Sequence, residues 1–375
     1  MNVGNRWTRR RLLGAGLAVA AGLWLGGRRA AFAAQGPGGL IVLPRGREIG
    51  LVRPDGTEHR TIVNLGPGEF IADVALSPDG SKVAFGLFTA RTGDGAGGSD
   101  IVIAPVENDA ERTVIVPRDR PGMLLAGPQW SPDGTALVFE AVGLTATGQA
   151  GVSAEWVAID GSGRRTVAQS ARYPSFAPDG KRIVYTRALP TGDALWEQPL
   201  DGSAGREIVP DSQFLVLVYP RYSPDGTRIA FAGVGDTLPT YPVPPGPPGA
   251  PGTQPSPAAP GAPRPPSSPD GPLGPGGAID QGSPKLLPGV SGSDATYPRS
   301  VAAHGFPAEP YVVSPSGGDA RRLAELPIDD AAVAWSPDGA WIAVSGASGV
   351  FLVNVADGET RRITENGSFG AIDWR

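Results

Sequence analysis

Ser77-Pro78-Asp79-Gly80 recurs as Ser131–Gly134, Ser223–Gly226 and Ser336–Gly339, and with one change as Ala177-Pro178-Asp179-Gly180. A short run of β-type residues follows each copy: Lys82–Phe85, Ala136–Phe139, Arg182–Tyr185, Arg228–Phe231 and Trp341–Val344. The unit has the chemistry of a turn. Proline presets φ near −65° at the second position, Ser and Asp bond back to the backbone, and Gly takes positive φ. Each copy therefore reads as a hairpin connection, and its aspartate as a turn residue rather than a catalytic acid.

The first four units begin 54, 46 and 46 residues apart. Periods near 45 indicate propeller blades, each a small four-stranded sheet. A third strand follows in each repeat, as at Asp100–Ile103, Glu155–Ile159, Ala194–Glu197, Tyr311–Val313 and Val350–Val353. A second tight turn comes next, often Asp-Gly (Asp160-Gly161, Asp201-Gly202, Asp357-Gly358), which is a strong hairpin signal. A fourth strand closes the repeat, as at Arg164–Val167 and Arg361–Thr364.

The two ends complete one another. Leu40–Leu43, Glu48–Val52 and Arg60–Val63 supply strands two to four of a blade that lacks a first strand. Phe369–Trp374 matches a first strand, with Trp374 in the place of Trp335, and no second strand follows it. Joining the ends removes two open sheet edges. The expected fold is all-β: a six-bladed β-propeller over residues 39–375, closed by pairing of the N- and C-terminal strands. The 113-residue gap between Ser223 and Ser336 is too long for one blade. A Pro/Gly tract, Leu238–Pro275, explains it as part of an insertion over residues 234–305, expected to be largely disordered. The tract contains Ser268-Pro269-Asp270-Gly271, but Pro272-Leu273-Gly274-Pro275 follows and cannot make a central strand. A seventh, degraded blade around Ala295–Pro310 is the alternative.

These repeats resemble the TolB-like, SPDG-type propeller repeats, which are related in pattern to WD-type propellers. The resemblance covers nearly all of residues 40–375 outside the Pro tract. It implies a six-bladed propeller and an envelope-protein partner. The N-terminal domain of TolB has no counterpart here, and one fold hosts many tasks.

Composition narrows the chemistry. The chain of 375 residues has no Cys, which excludes disulfides, thiolate metal sites and Cys nucleophiles. Its two His, His59 and His304, offer little for a metal centre or a His-dependent catalytic set, and read as surface or packing residues. The several His of an oligogalacturonate lyase-type propeller are therefore missing. No G-x-S-x-G elbow accompanies the repeats, so the peptidase domain of the prolyl oligopeptidase family has no counterpart. Gly93–Gly98 lacks the Gly-Lys-Ser/Thr ending of a phosphate loop. Asp94 and Asp100 could ligate Ca²⁺, but a solvated loop explains them. No catalytic residue, metal or cofactor is expected.

Residues 1–34 carry six Arg and no acid, which leaves 26 bases against 37 acids in the remainder. An acidic body argues against nucleic-acid binding. The segment itself reads as an export signal: a basic start, an apolar run from Leu12 to Leu25, and an Ala31-Phe32-Ala33 cleavage pattern. Thr8-Arg9-Arg10-Arg11-Leu12-Leu13 resembles the twin-arginine signal, with Thr for Ser and Leu for Phe. The general secretory route and an uncleaved anchor are alternatives.

The expected function is an exported binding or interaction module, monomeric and periplasmic or extracellular, whose partner is an envelope protein, a peptide or a glycan. The membrane enters only if the N-terminal segment stays uncleaved, as in a membrane-tethered sensor. A glycosidase or lyase using Asp and Glu on the propeller face is the enzymatic alternative. Long connections at Thr89–Ser99, Gly143–Ser153 and Val234–Gly305 fall on one face, which often marks the binding face. The blade-to-blade segments add candidate ligand-face residues: Arg118, Arg120, Arg172, Tyr173, Tyr219, Arg221 and Arg299. Arg and Tyr are common interface anchors, although Tyr173, Tyr219 and Tyr222 could instead pack between blades.

Overall fold

The computed structural model describes residues 37–57, 60–90, 97–108, 111–144, 150–235, 307–326 and 328–375. The segment read as an export signal, both His, Asp94, Arg299 and nearly all of the segment read as an insertion lie outside them. All the regular structure described is β, and six small sheets form a six-bladed propeller.

Blade A takes β25 (Asp373–Trp374) from the C-terminus as its inner strand. β1 (Ile41–Arg45), β2 (Glu48–Val52) and β3 (Arg60–Asn64) come from the N-terminus. Blade B is β4–β7 (Glu69–Leu76, Lys82–Thr89, Gly98–Pro105, Thr113–Val116), and blade C is β8–β11 (Leu124–Trp130, Ala136–Leu144, Ala150–Ala158, Arg165–Gln169). Blade D is β12–β15 (Arg172–Phe176, Arg182–Ala188, Asp193–Pro199, Arg206–Val209). Blade E is β16–β19 (Phe214–Tyr222, Ile229–Gly235, Pro307–Val313, Arg321–Arg322), with β20 (Ile328–Asp329) pairing the start of β18. Blade F is β21–β24 (Ala332–Trp335, Trp341–Gly346, Gly349–Asn354, Thr360–Thr364). The expected closure is present. Ile41 pairs with Trp374, and Leu40 and Arg375 exchange backbone bonds of 2.6 and 3.0 Å.

The turns work as their sequence suggests. In all four Ser copies the Ser hydroxyl donates to the Asp at 2.6 Å. The same oxygen accepts the amide five residues on, at 2.9–3.0 Å. In the variant copy Ala177 cannot donate, and Arg182 takes the Asp179 carboxylate at 2.9 Å instead. The turn glycines Gly80, Gly134, Gly180, Gly226 and Gly339 have φ of 67–71°. Each of the last four places its Cβ position 3.6–3.7 Å from the proline of the preceding copy, so the turns form a belt on one face.

The core is divided in the same way. Six apolar clusters occur, one between each pair of neighbouring blades. The cluster between F and A joins Ala343 and Leu352 to Ile41, Leu43 and Trp374, so the ring is closed by packing as well as by pairing. One expectation changes. The connection read at Gly143–Ser153 is mostly strand, because β9 and β10 run on to Leu144 and back from Ala150 in an unbroken ladder. Gly235 and Pro307, which flank the segment read as an insertion, lie on the face opposite the turn belt.

Candidate functional site

Every inner strand approaches the propeller axis, and the repeats can be aligned on their turns. Four residues before the turn stand Asp73, Gly127, Tyr173, Tyr219, Ala332 and Ala371 in blades B, C, D, E, F and A. In four of these strands the ladder slips near this position, between Ile71 and Val74, Ala126 and Gln129, Arg172 and Ser175, and Val218 and Arg221. A bulge re-aims a side chain, and here it turns the tyrosines toward the axis. Gly127, Tyr173 and Tyr219 all have positive φ, at 59°, 52° and 52°. That conformation is free for Gly and strained for Tyr.

The tyrosines fill space left by small neighbours. Their rings lie 4.5 Å apart, and the Tyr219 hydroxyl approaches Asp73 of the opposite blade at 3.5 Å. Asp73 is buried and accepts the Ala371 amide at 2.6 Å and the Gly127 amide at 3.1 Å, which ties blades A, B and C together. Glu140 is also buried; it accepts Arg172 Nε at 3.2 Å and the Tyr173 amide at 3.0 Å. Arg172 in turn lies over the Tyr173 ring. Burial pushes the Asp73 carboxyl upward, aided by the Glu140 charge. Burial also pushes the Tyr173 hydroxyl up to about 12, and the Tyr219 hydroxyl well above its usual value.

Two residues before the turn comes a second layer: Ala75, Gln129, Ser175, Arg221, Ala334 and Asp373. All are buried. Asp373 accepts the Leu76 amide at 3.0 Å and pairs with Arg375 at 3.3 Å. Arg221 is lowered to about 10 by burial, against the pull of Asp373 and Tyr219. Its carbonyl accepts the Trp335 indole at 2.9 Å, as that of Ala75 accepts Trp130 at 3.1 Å.

Of the residues singled out from sequence, Arg172, Tyr173, Tyr219 and Arg221 come together at the axis. They stand in inner strands rather than in the segments between blades. Arg118 is tied to Asp100 through its amide at 2.8 Å and its side chain at 3.3 Å. Arg120 is exposed between β7 and β8. Tyr222 is buried between blades and donates to Glu197, which also holds Arg182 at 2.9 Å and Arg206 at 3.0 Å. Sequence reasoning missed Asp73, Glu140, Gln129 and Ser175. For the three on inner strands the signal was available: their constant offset from the turn.

The two faces differ. Inner-strand starts and the connections between the second and third strands of each blade share the face opposite the turn belt. There Phe70, Leu124 and Phe369 are 36, 37 and 57% exposed, and Phe70 stacks on Phe88 at 5.0 Å. The turn face carries a cleft of about 470 Å³ between blades C and D, lined by Asp133, Trp156, Phe176 and Asp179. Arg165 covers the Trp156 ring, and both carboxylates bond within their own turns. No group of three or more His, Cys, Asp or Glu with metal-binding geometry occurs among the described residues.

No family model and no curated protein matches the sequence. Among solved structures, TolB from Acinetobacter baumannii is similar with a TM-score of 0.58 at 14% identity, over 93% of this chain and 71% of that one. A nidogen/laminin complex is similar with a TM-score of 0.57 at 12% identity, over 90% of this chain and 98% of that one. At such identities the likeness is one of fold, and the fold is that of a TolB-like propeller.

Proposed function

We propose that this propeller is an exported binding module whose long-loop face docks a protein or peptide of the cell envelope. One observation carries the reading. Of the four large hydrophobic residues exposed among the described residues, three (Phe70, Leu124 and Phe369) lie at the axis mouth on the same face. Exposed apolar side chains gathered on one face mark interaction surfaces more often than scattered ones do, and aromatics are favoured anchors. The two similar structures add support: one is TolB, and the other was solved as a complex of two proteins. Of the carboxylates beside the axial tyrosines, Asp73 and Glu140 are both committed as structural acceptors. That favours binding over catalysis.

Residues 1–34 are proposed as the export signal and 234–305 as a Pro/Gly-rich insertion of blade E. Arg6 to Arg11, the Ala31-Phe32-Ala33 pattern and the proline content support these assignments. A membrane-tethered sensor would apply if the signal were retained. The test is co-purification from native envelopes after crosslinking, with Phe70→Asp/Phe369→Asp beside wild type. A partner lost with this variant but kept with Asp133→Asn on the turn face supports the reading. A partner retained by the mouth variant sinks it.

A further inference from the structure

The layer beneath the tyrosines has a property that docking at the mouth does not use. Gln129, Ser175 and Arg221 occupy the same position in three consecutive blades, C, D and E, and are 4, 5 and 8% exposed. Gln129 Nε2 and Arg221 Nε have no hydrogen-bond acceptor in the protein. Arg221 donates from its other branch to the Pro220 carbonyl at 3.0 Å. Buried donors are normally paired, and an unmatched one costs about 1–3 kcal/mol, more if charged.

The nearby carboxylates do not neutralise Arg221 by contact. Asp373 is held by the Leu76 and Trp374 amides and by Arg375. Asp73 is held by the Gly127 and Ala371 amides, and Glu140 by Arg172 and the Tyr173 amide. The layer therefore holds a guanidinium and an amide that each keep an unused donor, with a hydroxyl between them, at one level of the axis. Across from them stand Ala75 and Ala334, which add no polar side chain, and Asp373, whose carboxylate is taken up by Arg375 and by the Leu76 and Trp374 amides.

We propose that the axis binds a small monovalent anion, a halide or a carboxylate group, held by Arg221, Gln129 and Ser175 beneath Tyr173 and Tyr219. A cation is disfavoured because the free groups are donors and one is charged. A neutral water would satisfy the geometry but leave the Arg221 guanidinium without an ion in contact, since Asp373 and Asp73 act on it only from a distance, and buried charges are normally paired directly. The tyrosine layer separates this site from the long-loop mouth, so the anion is a resident of the fold rather than part of the docked partner.

The experiment uses the full chain. Melting curves are recorded in sodium chloride, bromide, formate and gluconate at matched ionic strength, and crystals soaked in bromide are read by anomalous scattering. Chloride and bromide should raise the melting temperature by about 3 °C over gluconate, saturating with concentration as ligand binding requires. Formate acting like the halides would identify a carboxylate-accepting site, and formate acting like gluconate a halide site. An anomalous peak should lie beside Arg221. Gln129→Leu and Ser175→Ala, which leave the charge in place, should each shift the half-saturating concentration upward about tenfold. Arg221→Met should abolish the salt-specific effect, and the two milder variants still decide the matter if it does not fold. Identical melting in all four salts, or bromide bound elsewhere than the axis, overturns the proposal.

Discussion

Asp193, on β14, accepts the Leu217 amide at 2.9 Å and stitches blade D to blade E. Burial raises its carboxyl to about 6, against the opposing effects of that amide and of Arg172. The folded protein thus holds this proton more tightly than the unfolded chain does. The contribution is fully present below about pH 4 and is lost as pH rises through about 6, a loss of roughly 3 kcal/mol. Asp193→Asn keeps an acceptor for Leu217 and removes the charge. It should raise the melting temperature at pH 8 and show no gain at pH 4, measured as paired thermal melts. A gain at both pH values would mean the effect is not one of ionisation. Glycines give a second residue-scale contrast. Gly134 has φ +71°, and its Cβ position meets only Pro78 at 3.6 Å, so Gly134→Ala should cost about 1–2 kcal/mol of left-handed strain. At Gly370, with φ +95°, a Cβ would fall inside the Ala72 carbonyl of the neighbouring blade. Gly370→Ala should therefore cost more than about 4 kcal/mol in urea unfolding, beyond the range of an ordinary substitution.

At the scale of the element, β25 is only two residues long, yet it closes the ring. Trp374 is 1% exposed and donates its indole to the Gly38 carbonyl at 2.9 Å. Asp373 and Ala371 each bond across to blade B. A repeat buries its faces only against its neighbours, so an open end exposes both a core face and a strand edge. Deleting Ser368–Arg375 should lower the melting temperature by many degrees. Trp374→Ala alone should cost about 3–5 kcal/mol, as emptying a buried aromatic site does. Unchanged melting after the deletion would mean that the F–A cluster holds without its terminal strand.

At the scale of the molecule, a long excursion leaves one blade while the ladder around it stays intact. Gly233 still pairs with Glu309, close to the Gly235 and Pro307 stems. Loop-closure cost grows slowly with length. Replacing Leu238–Pro275 by a short Gly-Ser linker should shift unfolding stability by no more than about 1 kcal/mol. Loss of cooperative unfolding would instead show that the tract contributes a blade. The proposed export is tested at this scale too: Arg9→Lys with Arg10→Lys should leave precursor in the cytoplasm if the twin-arginine route is used, because a receptor reads that signal.

The blades, their number and their closure were legible in the chain because each rests on local chemistry. Ser-Pro-Asp-Gly makes the same turn wherever it stands, and Trp374 shows by its likeness to Trp335 that the last strand is a first strand without a partner. The axial site was legible only in part. Tyr173 and Tyr219 stood out by type and as residues read between blades, but nothing near them in sequence says that Tyr219 reaches Asp73, 146 residues away. Nor does it say that Gln129, Ser175 and Arg221 share one layer. Local sequence sets turns and strands through backbone preference. The company a side chain keeps at the axis is set by six blades converging on a line, and that convergence exists only once the ring has closed.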